Sequence, residues 1–292
     1  MNKGIILAGG KGTRLSPVSF AVNKHLLPIF NKPMLHYPLS NLMLFDIKDI
    51  LIIVNENDTS DFKNIYGDGT DFGIKISYKV QKFSNGIAEA FLIAEDFIGN
   101  DDVLLILGDN IFYGNGLYDL GKKAIKKNKG VTLFSHRVRD PERFGVIEFD
   151  SNKKVKSIIE KPKNPKSDLA VTGIYFFNNN VISYAKTLKP SKRGELEITD
   201  LNNIYLSQGK LDALNLERGM AWFDVGTFDA FFEASSFIKV IENLHSKLIG
   251  SPEEIAFSKG WISKSKLEKL ILKYHKSKYA EVLEKTLFDS DT

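Results

Sequence analysis

Residues 4–15 read GIILAGGKGTRL, a short apolar run that leads directly into three glycines, a threonine and an arginine. The apolar run is typical of a strand buried on both faces, and the glycines indicate a loop at its carboxyl end. Glycine permits positive φ and brings backbone N–H groups close to an anion, and the planar guanidinium of Arg14 matches phosphate oxygens two at a time. The stretch therefore favours a phosphate-binding loop, although an ordinary glycine-rich turn with a surface arginine would contain the same residues.

Two common phosphate-binding loops do not fit this stretch. A Walker A loop requires lysine and then serine or threonine after its last glycine, and no GxGxxG fingerprint can be laid on the sequence. A dehydrogenase with a dinucleotide fold is therefore disfavoured.

Strands and helical stretches alternate through the first half of the chain. Continuous apolar runs, GIILA (4–8), DILIIV (49–54) and VLLIL (103–107), predict buried strands, and IKISYKV (74–80) alternates as a half-buried strand does. Residues 86–98 carry apolar side chains at helical spacing. This order predicts an α/β fold with an open, mostly parallel sheet flanked by helices.

The second half of the chain is less regular. We expect strands at VTLFSHRV (131–138), GVIEF (145–149), VKSIIEK (155–161) and VTGIYFF (171–177), and a long helix at 228–244. Two Lys- and Glu-rich helical patterns follow in 263–287 and predict a smaller helical part, which we interpret as a solvated face or a subunit contact.

The composition of the chain excludes some classes of function. The 292 residues are 43% hydrophobic and 26% charged, with a net charge of +4 that is too small and too interleaved for a nucleic-acid partner. The chain has no cysteine, and we find no secretion signal and no apolar run of 18 residues. We therefore expect a cytoplasmic protein with no membrane partner.

Charged residues follow several of the predicted strands. Asp109, in LGDN after VLLIL, and Asp224, in WFDVGT, are suited to hold Mg²⁺ that phosphate oxygens also bind, although Asp109 could instead cap a helix. Lys24 lies ten residues after Arg14 and could reach the same phosphates. Glu160 and Lys161 are adjacent at a strand end, where ordinary surface charges are an equal alternative.

Taken together, these motifs resemble those of the sugar-1-phosphate nucleotidyltransferases, and among them the bacterial thymidylyltransferases that act on glucose 1-phosphate. The resemblance runs in order over nearly the whole chain. It is carried by GIILAGGKGTRL, KHLLP (24–28), YKVQ (78–81), NGIAEAF (85–91), LGDNIFYG (107–114), DPERFGVIEF (140–149), EKPKNPKS (160–167), AVTGIYFF (170–177), KPSKRGELEITD (189–200), WFDVGT (222–227) and SPEEIAFSKGWI (251–262).

The resemblance implies a Rossmann-like sheet that binds dTTP and glucose 1-phosphate. It also implies that the sugar phosphate attacks the α-phosphorus of dTTP in line, with the help of Mg²⁺, and that pyrophosphate leaves. The implied catalytic residues are Arg14, Lys24 and Lys161. The implied nucleotide site comprises Gly9, Gly10, Gly12, Thr13, Arg14, Lys24, His25, Gln81, Gly86 and Asp109. The implied sugar-phosphate site comprises Asn110, Phe144, Gly145, Glu160, Lys161 and Val171, and the implied metal ligands are Asp109 and Asp224.

The attacking phosphate is already an anion near neutral pH, so the chemistry needs no Ser, Cys or His nucleophile. It needs cations that hold two anions together and neutralise the leaving pyrophosphate, and the residues singled out above carry those charges.

Two residues depart from the family pattern, which has Gln where this chain has His25 and usually Tyr where it has Phe144. Both leave base and sugar preference open, so a UTP-dependent enzyme or one for another hexose 1-phosphate is the alternative. A non-catalytic sensor of nucleotide sugars is a more distant alternative, because the charged residues that chemistry requires are all present.

The resemblance also implies an assembly and its regulation. We expect residues 1–245 to form the main α/β domain, with a nucleotide half of about 1–115 and a sugar-phosphate half of about 116–245, and residues 246–292 to form a helical oligomer or regulatory segment. Tyr113, Gly114, Arg218 and Glu254 would belong to a second site for an inhibitory dTDP-sugar in a homotetramer. The product would feed dTDP-sugar and cell-surface polysaccharide biosynthesis.

Overall fold

The computed structural model of the protein describes residues 1–10 and 12–289. The strands are β1 (Lys3–Ala8), β2 (Pro28–Ile29), β3 (Lys32–Pro33), β4 (Asp49–Val54), β5 (Lys75–Val80), β6 (Val103–Leu107), β7 (Asn110–Tyr113), β8 (Val131–Arg137), β9 (Gly145–Phe149), β10 (Val155–Glu160), β11 (Leu169–Phe177), β12 (Leu211–Asn215) and β13 (Ala221–Asp224). The helices are α1 (His36–Leu44), α2 (Thr59–Tyr66), α3 (Glu89–Ile93), α4 (Glu95–Ile98), α5 (Leu117–Lys127), α6 (Val181–Ala185), α7 (Ile198–Ser207), α8 (Phe228–His245), α9 (Pro252–Ser258), α10 (Lys264–Lys273) and α11 (Lys278–Asp289).

The main sheet has a parallel centre in the order β6-β1-β4-β5, as the three apolar runs and the alternating run predict. The chain then adds β11, β9 and β10 in antiparallel register beyond β6, and β8 pairs with both β11 and β12. The predicted α/β fold, with a central, mostly parallel sheet flanked by helices, is confirmed.

Successive residues of the buried strands serve opposite faces of this sheet. Ile6 and Ile52 belong to one hydrophobic cluster, which also contains α1 and apolar side chains of α9–α11. Ile5 and Leu51 belong to a second cluster on the other face, packed with α3, α6 and α7. Both faces are therefore covered, which is why these strands read as unbroken apolar runs.

The helical pattern at 86–98 is interrupted in the structure. Gly86 has φ +103°, and a Cβ there would lie 2.4 Å from the backbone oxygen of Leu196, so only glycine fits and the helix begins later, at Glu89. Ala94, at φ −88° and ψ 4°, then separates α3 from α4. The predicted single helix is therefore two short ones.

A small two-stranded sheet, β7 paired antiparallel with β13, lies beside the main sheet and aligns Asn110 with Asp224. It brings two segments more than a hundred residues apart to the carboxyl ends of β1 and β6. None of the helices in the described part of the chain is long and apolar enough to cross a membrane.

Candidate active site

A cavity of about 520 Å³ opens at the carboxyl ends of β1 and β6, where parallel α/β sheets bind their ligands. Among its lining residues are Gly10, Arg14, Lys24, His25, Asp109, Asn110, Arg143, Phe144, Gly145, Glu160, Lys161, Val171, Thr199, Trp222 and Asp224. The structure thus brings together all the sequence-predicted sugar-phosphate, metal and catalytic residues around one space.

The remaining nucleotide residues do not line this cavity. Thr13 and Gln81 line, with Gly10, a neighbouring cavity of about 450 Å³. A Cβ on Gly9 would lie 2.4 Å from Gln81 Oε1, so glycine is required for the two to approach. Gly12, at φ +60°, packs against the methylenes of Lys24 in the same way. The glycine loop therefore carries the close contacts that place Gln81 and Lys24.

Lys24 and Asp109 both line the cavity and form an ion pair with little solvent exposure. Burial by itself would raise the pKa of Asp109, but the Lys24 ammonium beside it holds that pKa below its usual range. Burial, and then the charge of Lys24, lowers the pKa of His25 to about 3. His25 is therefore neutral at physiological pH, and its Nδ1 lies 2.8 Å from Asn23 Oδ1.

The pKa of the second carboxylate, Asp224, is shifted in the opposite direction from that of Asp109. Burial and the nearby charge of Asp109 raise the pKa of Asp224. Two carboxylates that repel each other in a buried place are the donor set that a hard cation such as Mg²⁺ stabilises. No cluster of three or more His, Cys, Asp or Glu side chains suited to a metal occurs in residues 1–10 and 12–289, so substrate or water oxygens would complete the coordination.

Asn110 fixes the position of Asp109. It is buried, and its Nδ2 donates to Asp109 Oδ1 at 3.0 Å. Its Oδ1 accepts from Trp222 Nε1 at 2.6 Å and from the backbone N–H of Gly173 at 3.0 Å. Asn110 therefore supports the Asp109 carboxylate while itself lining the cavity.

Glu160 and Lys161 both line the cavity although they are neighbours at the end of β10. Strand neighbours normally point to opposite faces, but Lys161 has φ +43°, which turns the chain at this point. Glu160 accepts a hydrogen bond from Thr199 Oγ1 at 2.6 Å and forms an ion pair with Arg193 at 3.1 Å. The carboxylate is thereby held, and the Lys161 side chain is about half exposed, with its Nζ 3.8 Å from Glu160 Oε1.

Sequence reasoning missed several lining residues of the cavity, and three of them, Trp222, Arg143 and Thr199, bear on the proposed chemistry. The rings of Trp222 and Phe144, whose centroids lie 5.2 Å apart, form an aromatic wall of the cavity. Arg143 lines the cavity as a further cation, and Thr199 holds Glu160. All three lie inside quoted motifs, but only the folded chain shows which motif members face inward.

The predicted regulatory residues are divided between two places. Tyr113, Gly114 and Glu254 line one cavity of about 480 Å³, and burial raises the pKa of Glu254 to about 7. Arg218 lies at a different cavity of about 370 Å³. Within one chain, Arg218 therefore does not join the other three.

The sequence and the fold match known proteins. Residues 3–240 match the family model described as nucleotidyl transferase. The chain is 52% identical over 281 residues to a glucose-1-phosphate thymidylyltransferase of Neisseria meningitidis, covering 96% of this chain and 98% of the relative. A crystal structure of a Bacillus anthracis protein with sucrose superimposes with a TM-score of 0.74 at 45% identity, covering 80% of this chain and 94% of that one.

A UDP-glucose pyrophosphorylase complexed with UDP-glucose has a TM-score of 0.73 at 23% identity, covering 82% of this chain and 99% of that chain, and shows the shared fold alone. From the family match over most of its length, together with the full-length relative, we conclude that the chain belongs to the nucleotidyl transferase family.

Proposed function

We propose that this protein transfers a thymidylyl group from dTTP to glucose 1-phosphate, giving dTDP-glucose and pyrophosphate. The observation that carries the proposal is the single cavity in which Arg14, Lys24 and Lys161 meet two partly buried carboxylates, Asp109 and Asp224. The activity named for the Neisseria meningitidis relative supports the choice of substrates.

The reaction needs positioning and charge more than a chemical base. A phosphate oxygen of glucose 1-phosphate forms a bond to the α-phosphorus, and the bond from the α-phosphorus to the bridging oxygen of pyrophosphate breaks. Lys161 would hold the sugar phosphate, and Arg14 and Lys24 would hold the triphosphate. Such preorganised cations oppose the repulsion between the two anions and stabilise the developing negative charge.

Asp109 and Asp224 would hold Mg²⁺. When bound, the ion would neutralise phosphate charge as a Lewis acid. The hydrogen bonds that Asn110 makes keep the Asp109 carboxylate directed at the cavity, and the antiparallel pairing of β7 with β13 keeps Asp224 beside it.

Gln81 and Gly86 would read the base, and Phe144, Gly145, Glu160 and Val171 would surround the sugar. We extend the proposal to a homotetramer, because α8 exposes the apolar side chains of Phe228, Phe232, Val240 and Leu244 at spacings that are multiples of four. A subunit contact would also allow Arg218 of one copy to approach the cavity of Tyr113 and Glu254 in another.

A dTDP-deoxysugar would be the inhibitor at that second site, and inhibition that lowers the maximal rate without raising the KM for dTTP would support it. Simple competition with dTTP would contradict it. A cytoplasmic location and a role in dTDP-sugar and surface-polysaccharide biosynthesis stay predictions from the sequence.

The test is to incubate the protein with Mg²⁺, each of dTTP, UTP, dCTP and ATP, and a panel of hexose 1-phosphates, and to measure pyrophosphate release. We expect the highest kcat/KM for dTTP with glucose 1-phosphate. A preference for UTP or another hexose would favour the alternative substrates, and no release with any pair would overturn the enzymatic function.

A further inference from the structure

Two side-chain amides converge on one carboxylate beside the glycine loop. Gln81 Nε2 donates to Glu89 Oε2 at 2.7 Å, and Asn85 Nδ2 donates to Glu89 Oε1 at 2.7 Å. Glu89 is the first residue of α3, and Gln81 follows the end of β5. Each oxygen of the carboxylate thus has its own amide donor.

This arrangement fixes which way the Gln81 amide faces. An ionised carboxylate has no proton and only accepts hydrogen bonds, so the amide nitrogen must face Glu89 and the amide oxygen must face away from it. That oxygen lies beside Gly9, 2.4 Å from the position that a Cβ would occupy there. Gln81 is only 5% exposed and its backbone N–H donates to the Val54 carbonyl at 2.8 Å, which leaves the side chain little freedom.

The orientation of the Gln81 amide decides with which base it can form a pair of hydrogen bonds. With the oxygen presented, Gln81 accepts the N3–H of thymine or uracil, and the second proton on Nε2 stays available for a base carbonyl oxygen. If the amide turned over, it would present N–H where N3 of cytosine accepts and oxygen where the cytosine amino group donates. The same side chain would then select the other pyrimidine.

We infer that Glu89 is a positioning residue for base selection, which excludes cytosine by preventing the Gln81 amide from turning over. The inference rests on the proposed function, in which the base lies against Gln81. It assigns to Glu89 a role that requires a carboxylate, because a side chain that can both donate and accept would permit either orientation.

The test compares the wild type with Glu89→Gln, which keeps the shape and removes the acceptor-only character. We expect the ratio of kcat/KM for dTTP to that for dCTP, each with glucose 1-phosphate, to fall by about tenfold or more, chiefly through a gain with dCTP. Glu89→Ala, which removes the constraint altogether, should lower the ratio too. Glu268→Gln, the same chemical change at an exposed position of α10, should leave the ratio unchanged.

The outcomes separate the inference from the proposed function. An unchanged ratio in folded Glu89→Gln and Glu89→Ala, or an equal loss with both nucleotides, would show that Glu89 serves only structure and would overturn the inference. If the variants turn over too slowly, the ratio of the dCTP dissociation constant to the dTTP dissociation constant, measured by calorimetry, must fall instead. A wild-type protein that makes no dTDP-glucose would overturn the proposed function itself.

Discussion

The indole nitrogen of Trp222 lies 2.6 Å from Oδ1 of Asn110, and this hydrogen bond joins the two strands that present Asp224 and Asp109. The same oxygen also accepts the backbone N–H of Gly173, and a Cβ on Gly173 would lie 2.4 Å from it. One buried amide therefore connects β7, β13 and β11 directly beneath the carboxylates.

Replacing Asn110 with alanine should destabilise the protein. It leaves the donors of Trp222 and Gly173 without their acceptor, and each unsatisfied buried group costs about 1–3 kcal/mol, so we expect a loss of at least about 2 kcal/mol. Urea unfolding measures this loss. Asn57→Ala, at an exposed position, should change the free energy of unfolding by less than about 0.5 kcal/mol; equal effects of the two substitutions would contradict the role of Asn110.

Lys161→Ala should lower turnover by about 10²–10³-fold while the protein stays folded, because it removes a preorganised cation from the sugar phosphate. Pyrophosphate release at saturating Mg²⁺ measures the turnover. Lys163→Ala, two residues along the chain and exposed, removes the same charge outside the cavity and should keep wild-type turnover. Near-wild-type turnover in Lys161→Ala would exclude that residue from the chemistry.

The stability of the protein should depend on pH through Glu254. Burial raises its pKa from 4.5 to about 7, so the folded state binds this proton more tightly than the unfolded state. The contribution to stability is therefore fully present below about pH 4.5 and is lost as the pH rises through about 7.

Glu254→Gln stays neutral at every pH, so its Tm should exceed that of the wild type at pH 8 and approach it at pH 5. Differential scanning calorimetry at the two pH values measures this difference. Glu268→Gln, which replaces an exposed carboxylate, should change the Tm only slightly, and by the same amount at pH 5 and at pH 8. A Tm advantage of Glu254→Gln that is larger at pH 5 would refute the assigned direction.

Loss of the exposed apolar side chains of α8 should break the proposed homotetramer. Phe232 and Leu244 are 73% and 71% exposed in the single chain, and we expect the double substitution Phe232→Ser and Leu244→Ser to give smaller species. Size-exclusion chromatography with light scattering measures the mass. Leu272→Ser, at an equally exposed leucine of α10, is the matched control and should leave the mass unchanged. A wild-type monomer would contradict the assembly.

Much of the fold could be predicted from local patterns. The bounds of β4, β6 and β9 agree with the predicted runs 49–54, 103–107 and 145–149. For β4 and β6 the reason is that a strand buried on both faces is apolar along nearly its whole length. The bounds of the helices were harder to predict. The helix α3 begins later than its pattern suggests because Gly86 contacts the backbone of Leu196, and no local pattern indicates a contact between residues so far apart in the chain.

The sequence by itself determined which chemical groups the site can use. These are a glycine loop after the first strand, cations at positions 14, 24 and 161, and carboxylates at positions 109 and 224, close to the ends of apolar runs. Only the tertiary structure decided how these groups act on one another. The turn at Lys161, the burial that raises the pKa of Asp224, and the amide orientation that Glu89 imposes on Gln81 all depend on distances between remote segments. Residue type fixes which charges and donors exist, whereas desolvation and hydrogen-bond geometry exist only after the chain has packed.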